Sequence, residues 1–391
     1  MGRLCTVRDV DWAGKTALVR VDFNVPMKDG RVADDTRIRA ALPTLGYLRD
    51  HGARVVLLSH LGRPEGKPDP KYSLQPVAVR LGELLGTSCR FAHDCVGPPA
   101  EDAVRSLGAG EVVLLENVRF HREEEANDRA FARQLAALGD TFVNDAFGTA
   151  HRAHASTEGV AHLLPAVAGL PMEKEITVIG KALQDPRRPF VAIVCGAKVS
   201  SKLAVLQNLI DRVDRLLIGG GMANTFLRAA GFEVGSSLLE PDLVPTAKDL
   251  LSRGQKILLP LDVVVTVDLS GSAGPSVREV EAVAPNEIIA DIGPHTIVGF
   301  AAEIRAAGTV LWNGPMGIFE NPLFAEGTLA VARAMADSSA TTIVGGGESV
   351  QAVEQAGLAN NLTHVSTGGG ASLEFIEGKT LPGVAALRTD C

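Results

Sequence analysis

Basic side chains in the first half of the chain follow short apolar runs that are typical of buried strands. In an open parallel sheet, ligands bind beyond the carboxyl ends of the strands, so residues at these positions are candidates for a site. The candidates are Asp22, Asn24, His60, Arg63, Arg119, Asp145, His151, Arg152 and His154, with Arg37 near the start of the first predicted helix. Planar guanidinium groups bind carboxylate and phosphate through paired hydrogen bonds. The set therefore predicts a small basic pocket for a small, multiply anionic metabolite.

Each candidate also has a simpler interpretation. A single arginine is more often a surface residue, Asp22 could cap a turn, and His154 or His162 alone is typical of a structural histidine. The acidic run at 123–125 is interpreted as a solvated helix face. Five Arg or His positions that all follow predicted strands favour the pocket over these separate explanations.

Glycine makes up 41 of the 391 residues, and part of it is concentrated between predicted strands and helices of the second half. The segment GAKVSSK at 196–202 follows a predicted strand, and GGG runs at 219–221, 345–347 and 368–370 each lie between a strand and a helix. Glycine lets a backbone approach phosphate closely, and helix N-termini offer unpaired N–H groups. One such run would indicate only a tight turn. Three runs, together with Lys198 and Lys202, predict a nucleotide-phosphate site.

The elements that must position these residues alternate along the chain. Predicted strands lie at 16–21, 54–58, 111–115, 141–143, 190–194, 215–218, 256–259, 263–267, 288–292, 309–312 and 341–344. Predicted helices lie at 36–49, 172–184, 202–213, 295–306 and 323–336. This alternation indicates a parallel α/β architecture with right-handed crossovers. The proline-punctuated stretch 165–189 predicts a boundary between two doubly wound domains, with a linking helix inside it.

Composition and charge exclude several classes of function. A chain of 391 residues is expected to form two or three domains, and 46% hydrophobic with 21% charged residues indicates a globular protein. The net charge of −8 argues against a nucleic-acid partner held by bulk charge. Residues 1–171 carry 21 basic and 22 acidic side chains (−1), whereas residues 172–391 carry 17 and 24 (−7). The two parts are therefore expected to have different electrostatic roles.

The cysteines and the lack of long apolar segments predict the cellular compartment of the protein. Cys5, Cys89, Cys95, Cys195 and Cys391 are scattered and form no CxxC pair. We therefore expect no zinc site, no disulfide framework and a reducing compartment. The first twenty residues lack the apolar stretch of a signal peptide, and no 18-residue apolar run could span a membrane. The expectation is a cytoplasmic protein without a membrane partner.

Common nucleotide-binding fingerprints are missing from the sequence. Neither Gly-Lys-Thr triplet, at 14–16 or 378–380, has the upstream glycine of a Walker A loop, and no GxGxxG follows the first strand. The protein-kinase and GxSxG motifs are also missing. An NAD-type dehydrogenase is disfavoured on this basis but stays an alternative, as does a non-catalytic nucleotide-binding protein.

The motifs taken together resemble one family from end to end. The strings RVDFNVP, SHLGRP, LLENVRF, NDAFGTAHRAHAST, GAKVSSK, GGGMANTFL, WNGPMGIFE, GGGES and STGGGASLEFIEGKTLPG stand in the order found in phosphoglycerate kinases. The resemblance implies reversible Mg²⁺-dependent phosphoryl transfer between ATP and the carboxylate of 3-phosphoglycerate, giving ADP and 1,3-bisphosphoglycerate. It also implies a usually monomeric enzyme of glycolysis and gluconeogenesis whose domains close by hinge bending.

The resemblance further implies a domain plan and a set of site residues. The fold would be two Rossmann-like, three-layer αβα domains with parallel sheets, joined by a hinge helix. The 3-phosphoglycerate domain would cover 1–171 with a C-terminal tail at 371–391, the hinge helix 172–185, and the nucleotide domain 186–370. By match to the motifs, Asp22, Asn24, Arg37, His60, Arg63, Arg119 and Arg152 would bind the triose. Similarly, Gly196, Lys198, Lys202, Gly293, Asn313, Glu320, Gly346, Gly347, Glu348 and Ser349 would bind the nucleotide, and Arg37, Lys198, Gly346 and Gly369 would act on the transferring group.

The implied reaction needs no general base. A carboxylate acceptor, with an ordinary pKa of about 4, is ionised at pH 7, so the site must mainly bring two anions together and stabilise a loose phosphoryl transition state. His60, His151 and His154 are therefore interpreted as positioning groups. Glu348 stands where the family usually carries Asp, and Ser201 where many members carry Asp. Glu348 is the candidate Mg²⁺ ligand, with the ion held mainly by nucleotide phosphates.

Overall fold

The structure, a computed structural model, describes residues 3–270 and 272–391. The chain divides into two compact units. Unit 1 comprises the chain up to Thr177 together with Thr380–Cys391, and unit 2 comprises Val178–Lys379. Within the described residues, no helix combines the length and the apolar character needed to cross a membrane.

Unit 1 is built on a parallel sheet. Its strands are β1 (Thr16–Val21), β2 (Met27–Lys28), β3 (Arg31–Val32), β4 (Arg54–Leu58), β5 (Cys89–Ala92), β6 (Val112–Leu115), β7 (Thr141–Asp145) and β8 (Ala166–Ala168). Its helices are α1 (Thr36–Asp50), α2 (Gln75–Leu85), α3 (Gly97–Arg105), α4 (Arg122–Glu125), α5 (Arg129–Ala136) and α6 (Leu170–Gln184), which continues into unit 2. The sheet order is β5-β6-β4-β1-β7-β8, with β2 and β3 forming a separate hairpin.

The centre of this sheet is buried on both faces. Every residue of β1 is buried, and so are four of the five in β4, which is why these strands are mainly apolar rather than alternating sequences. Because β1 pairs in parallel with both β4 and β7, the residues that follow these three strands lie at the same edge of the sheet.

Unit 2 repeats the parallel plan and adds a second sheet. Its strands are β9 (Phe190–Val194), β10 (Arg215–Ile218), β11 (Ile257–Leu258), β12 (Asp262–Thr266), β13 (Ser276–Glu279), β14 (Ile288–Ile292), β15 (Thr309–Asn313), β16 (Thr341–Gly345) and β17 (His364–Val365). Its helices are α7 (Leu203–Leu209), α8 (Gly221–Ala229), α9 (Val244–Ser252), α10 (Pro294–Ala306), α11 (Glu326–Ala336), α12 (Gly347–Gln355) and α13 (Gly370–Ile376); α14 (Pro382–Ala385) belongs to unit 1. The parallel order is β11-β10-β9-β15-β16-β17.

The predicted α/β class is confirmed, and one feature within it was missed. The predicted strands near 263–267 and 288–292 are β12 and β14; β12 pairs antiparallel with both β14 and β13 in a separate three-stranded sheet. Their apolar runs are equally compatible with a parallel strand, because strand direction leaves no mark on the apolar pattern of a single strand.

The C-terminal segment joins unit 1 later than predicted. Residues from Thr380 group with unit 1, not those from 371. Helix α13 instead packs on α7 of unit 2, where the Asn208 amide Nδ2 donates to the Ile376 carbonyl at 2.7 Å. The division between the units also falls inside α6, after Thr177, and not at either end of the predicted hinge helix 172–185.

The expectation of no disulfide framework needs a correction, because one disulfide forms. Cys5 and Cys391 are bonded, with their Cα atoms 5.6 Å apart. The two cysteines are separated by 386 residues, so their spacing along the sequence gives no sign of the pairing. The fold brings them together because both chain ends run along one edge of unit 1: Cys5 N–H donates to Arg388 O at 3.0 Å, and Arg388 N–H donates to Ala166 O at 2.9 Å.

Candidate functional site

The first predicted pocket forms at the carboxyl edge of the unit 1 sheet. Asp22 follows β1, and its carboxylate accepts a 2.7 Å hydrogen bond from Arg37 Nη1 in the first turn of α1. The other Asp22 oxygen accepts from the Asn24 N–H at 3.3 Å. An ion pair thereby joins the end of β1 to the start of α1, and the Arg37 side chain is 39% exposed. Arg37 retains donors that face solvent and are available to a ligand.

A glycine, Gly62, links two of the predicted residues. Asn24 Oδ1 accepts from the Gly62 N–H at 2.8 Å, and Gly62 O accepts from Arg119 Nη1 at 2.8 Å. Gly62 has φ +63°, a conformation that side-chain-bearing residues rarely adopt. Arg119 is 6% exposed and lies in the turn that follows β6. The loop after β4 is thus held in one geometry by side chains from two other loops.

Positive charge converges on the histidines of this pocket. Burial lowers the pKa of His60 well below its ordinary value, and the charges of Arg20, Arg119, Arg37 and Arg152 lower it further. Burial, followed by the same kind of arginine repulsion, lowers the pKa of His154 to about 4. Both imidazoles are therefore neutral at pH 7, and the positive charge of the pocket comes from guanidinium groups. Neutral rings suit positioning by hydrogen bonds.

The remaining predicted triose residues lie around this cluster. Arg152 follows β7 and its Nε donates to His151 Nε2 at 3.2 Å. Arg63 is exposed, and its charge acts on Arg119. Asp145 is instead buried at the end of β7, where it accepts from the Met172 N–H at 3.3 Å in the first turn of α6. Burial raises its pKa to about 7. We therefore interpret Asp145 as a structural helix cap and not as a ligand of the anion.

A buried pair beneath the pocket was missed. Arg20 is 1% exposed within β1; its Nη2 lies 3.1 Å from His60 Nδ1 and its Nε donates to Ser156 Oγ at 2.8 Å. Ser156 in turn donates to both carboxylate oxygens of Glu124, at 2.6 and 2.8 Å. The interpretation of 123–125 as a solvated face was wrong for Glu124, which is fully buried. A charged residue inside the otherwise apolar strand TALVRV was the available signal.

Unit 2 contains a cavity beside the glycine-rich segments at 196–202 and 219–221. Its volume is about 520 Å³, within the range of small-molecule sites. The lining includes Gly196, Gly220, Gly221, Met316, Glu320 and Glu348. Each GGG run ends on the first residue of a helix, namely α8, α12 and α13, as the sequence predicted. Helix N-termini present N–H groups and a positive dipole end, which favour phosphate.

Lys202 is fixed at this edge by Asn313. The Lys202 ammonium donates to Asn313 Oδ1, and the Asn313 Nδ2 donates to Gly345 O at 2.9 Å. Burial lowers the pKa of Lys202, while the carboxylate of Glu348 acts in the opposite direction. Gly346 has φ +94°, and a Cβ there would lie 2.7 Å from Asn313 Nδ2. The chain can take this path between β16 and α12 only because residue 346 is glycine.

Gly220 and Ser349 hold neighbouring loops of the cavity close together. A Cβ at Gly220 would lie 2.7 Å from both N and O of Gly196, so these two strand-end loops touch through their backbones. Ser349 is fully buried and its Oγ accepts from the Gly314 N–H at 2.6 Å. Ser349 thereby supports the WNGP loop beside the cavity and does not face into it.

The other predicted nucleotide residues fall in different surroundings. Lys198 is exposed between β9 and α7. Gly293 precedes α10, where a Cβ would lie 2.3 Å from the Asp262 carboxyl carbon, while its neighbour Ile292 lines the cavity. Gly369 has φ +51° and open space around its Cβ position. Asp291, which was not predicted, lines the cavity and accepts from Gly327 N–H at 2.7 Å; burial raises its pKa to about 7.

These features define a class. Two doubly wound α/β units, one with an arginine-rich pocket and one with a glycine-lined cavity, have the architecture expected of a phosphotransferase. The comparisons with known proteins give the family: its model, described as phosphoglycerate kinase, matches residues 7–379. The chain belongs to the phosphoglycerate kinase family.

Individual relatives cover almost the whole chain. Phosphoglycerate kinase of Chloroflexus aggregans is 61% identical and that of Moorella thermoacetica 58%, each over 98% of both chains. Among solved structures, phosphoglycerate kinase from Coxiella burnetii matches with a TM-score of 0.92 at 42% identity over 98% of both chains. The enzyme from Pyrococcus horikoshii matches with a TM-score of 0.84 at 34% identity over 99% of both.

Proposed function

We propose that this protein catalyses reversible phosphoryl transfer between ATP and the carboxylate of 3-phosphoglycerate. The observation that carries the proposal is the electrostatics of the unit 1 pocket. Arginines make it positive, and burial together with their charges keeps His60 neutral, so it is suited to bind an anion rather than to abstract a proton. A reaction whose acceptor is already an ionised carboxylate needs just such a site.

In this proposal, side chains of unit 1 bind the triose. Arg37, oriented by Asp22, and Arg119, oriented by Gly62, would bind its phosphate and carboxylate oxygens. The other proposed triose ligands are Asn24, His60, Arg63 and Arg152. Arg37 would also stabilise charge on the transferring group, because its guanidinium is partly exposed while its orientation is fixed.

Groups of unit 2 would bind ATP or ADP. Lys202 and the N–H groups at the start of α12, at Gly346 and Gly347, would meet the phosphates, and Gly196 would let them approach the backbone. Glu320 would bind the ribose, Asn313 would hold Lys202, and Gly293 and Ser349 would support the cavity wall. Lys198 and Gly369 would serve the phosphoryl group in transit. These roles are supported by the cavity lining and the glycine geometry described above.

The residues present fit a magnesium ion at the nucleotide phosphates. Glu348 is exposed, lines the cavity and lies in the first turn of α12, and carboxylate oxygen is a ligand type that Mg²⁺ prefers. Glu348 would hold the ion together with the phosphates. The ion supplies charge neutralisation at the phosphate oxygens. We further propose a cytoplasmic monomer whose two units close on their substrates during turnover.

A coupled assay tests the proposal. Purified protein should consume ATP in the presence of Mg²⁺ and 3-phosphoglycerate, and omitting either substrate should abolish the signal. Turnover of a nicotinamide cofactor with a hydroxy acid, in place of kinase activity, would support the dehydrogenase alternative. The absence of both activities, with ATP still bound, would point to a non-catalytic nucleotide-binding protein.

A further inference from the structure

The disulfide at the edge of unit 1 lies on a segment that supports the anion pocket. Residues 380–391 run back along the sheet edge, where Arg388 is hydrogen-bonded on both sides, to Cys5 and to Ala166. Leu381 and Leu387 are buried, at 2% and 6% exposed. The end of the chain is therefore packed into unit 1 and not merely laid on its surface.

Helix α14 of this segment contacts the loop that follows β7. The Gly383 N–H donates to Ala150 O at 2.9 Å, and Gly383 O accepts from Asn144 Nδ2 at 3.1 Å. A Cβ at Gly383 would lie 3.0 Å from the Ala150 Cα, so the backbones are in direct contact. Ala150 immediately precedes His151 and Arg152, so α14 supports the start of the basic loop.

The same helix also supports the far end of that loop. Helix α14 packs against the turn Ala155–Gly159, where Ser156 joins Arg20 to Glu124. The basic loop 151–154 is thus held at both ends by elements that rest on α14. These contacts provide a path from α14 to Arg152 and to the Arg20 network beneath His60.

We propose that the Cys5–Cys391 disulfide is a redox-controlled latch that keeps α14 on the 146–159 segment and thereby preorganises the anion pocket. Cys391 is exposed and Cys5 is 2% exposed, so a thiolate can reach the Cys391 sulfur. Within the described residues, Cys89, Cys95 and Cys195 are free thiols. This disulfide is therefore the covalent link on which oxidation or reduction acts. In a reducing compartment, protein disulfides are commonly transient or redox-sensing.

The chemical step is thiol–disulfide exchange with a dithiol reductant. Its thiolate attacks Cys391 Sγ, the S–S bond breaks, and Cys5 Sγ leaves with the electron pair and takes up a proton. The second thiol of the reductant then attacks the reductant sulfur of this mixed disulfide. Cys391 is released as a thiol, and the reductant becomes a disulfide. The protein disulfide gains two electrons, and the dithiol reductant loses two electrons. The reduced chain end then keeps α14 in place only through noncovalent contacts.

The test compares oxidised protein, protein reduced with dithiothreitol, and Cys391→Ser. Cys89→Ser is the matched control, because Cys89 is a free thiol in β5 at the opposite edge of the same sheet. Reduction and Cys391→Ser should both accelerate amide exchange in 380–391 and in 146–159. They should also weaken 3-phosphoglycerate binding, measured by calorimetry, about fivefold, the low end of intramolecular coupling. ATP binding should be unchanged, and Cys89→Ser should respond to reductant as the wild type does.

The substrate part of this inference depends on the proposed function, and the two can fail separately. Unchanged exchange in both segments on reduction would overturn the latch. Faster exchange with the same affinity for 3-phosphoglycerate would overturn its coupling to the pocket. If 3-phosphoglycerate binds in neither redox state, the proposed function fails, and the exchange data alone then decide whether the latch exists.

Discussion

Gly346 gives a sharp test of the nucleotide site. It has φ +94° and ψ 136° between β16 and α12, a region that residues with a Cβ essentially avoid. A methyl group there would lie 2.7 Å from Asn313 Nδ2, and Asn313 is the residue that holds Lys202. The substitution Gly346→Ala therefore combines backbone strain with displacement of the asparagine that positions Lys202, the proposed phosphate ligand.

The size of the effect follows from these two causes. A non-glycine residue in such a conformation costs about 1–3 kcal/mol. Losing the Asn313–Gly345 hydrogen bond costs about another 1 kcal/mol. Part of this sum lowers the stability of unit 2 and part lowers nucleotide affinity. If about 2 kcal/mol falls on binding, the ATP affinity drops roughly 30-fold at 1.4 kcal/mol per factor of ten.

Calorimetric titration with ATP and with 3-phosphoglycerate measures the effect. We expect Gly346→Ala to bind ATP about 10- to 100-fold more weakly, with 3-phosphoglycerate binding unchanged because its proposed ligands lie in unit 1. Gly299→Ala is the control: Gly299 lies inside α10, no atom is within 4 Å of its Cβ position, and alanine is the better helix former. If folded Gly346→Ala binds ATP within twofold of the wild type, the reasoning about this turn is refuted.

Three further predictions follow from other groups. Lys198→Ala should lower kcat by about 10²–10³-fold with little change in ATP binding, because an exposed cation assigned to the moving charge acts only in the transition state; near-normal turnover would contradict the role. Glu124→Gln should destabilise unit 1 by about 3 kcal/mol, because the charge facing buried Arg20 is lost; thermal unfolding measures it, and an unchanged midpoint would disprove the pairing. Burial raises the pKa values of Asp145 and Asp291 to about 7. These carboxyl groups therefore keep their protons in the folded state, whereas in the unfolded chain they lose them near pH 4. The free energy of unfolding should fall as pH rises from 4 to 7, by up to about 4 kcal/mol per carboxyl. The urea midpoints of Asp145→Asn and Asp291→Asn should fall less steeply with pH over that range than the wild-type midpoint does. Equal slopes for variant and wild type would contradict the prediction.

Residues at strand ends were predictable because two simple rules act together. The apolar run fixes where a buried parallel strand ends, and sheet geometry places all such ends at one edge. Asp22, His60 and Arg119 were found in this way. Glycine runs were predictable for a similar reason, since each precedes the first turn of a helix where only glycine fits the backbone path.

The features that were missed depend on distant parts of the chain. Whether Glu124 is solvated or buried is decided by Arg20 and Ser156, which lie 104 and 32 residues away along the chain. The Cys5–Cys391 pairing depends on both termini reaching the same sheet edge. The direction of β12 depends on how β13 and β14 return to it. Local patterns give burial and element type, but these contacts require the assembled fold.

The charge of the pocket is independent of pH near neutrality, and its composition explains why. Histidine ordinarily titrates near 6.5, so a pocket that relied on imidazolium would change its affinity for anions across the physiological range. Here burial and nearby guanidinium groups lower the pKa of His154 to about 4 and that of His60 well below normal. The positive charge of the pocket therefore comes from the arginines, which stay protonated. An acceptor carboxylate and a phosphate thus meet the same positive field at any pH where both are ionised, although unit 1 as a whole is nearly neutral.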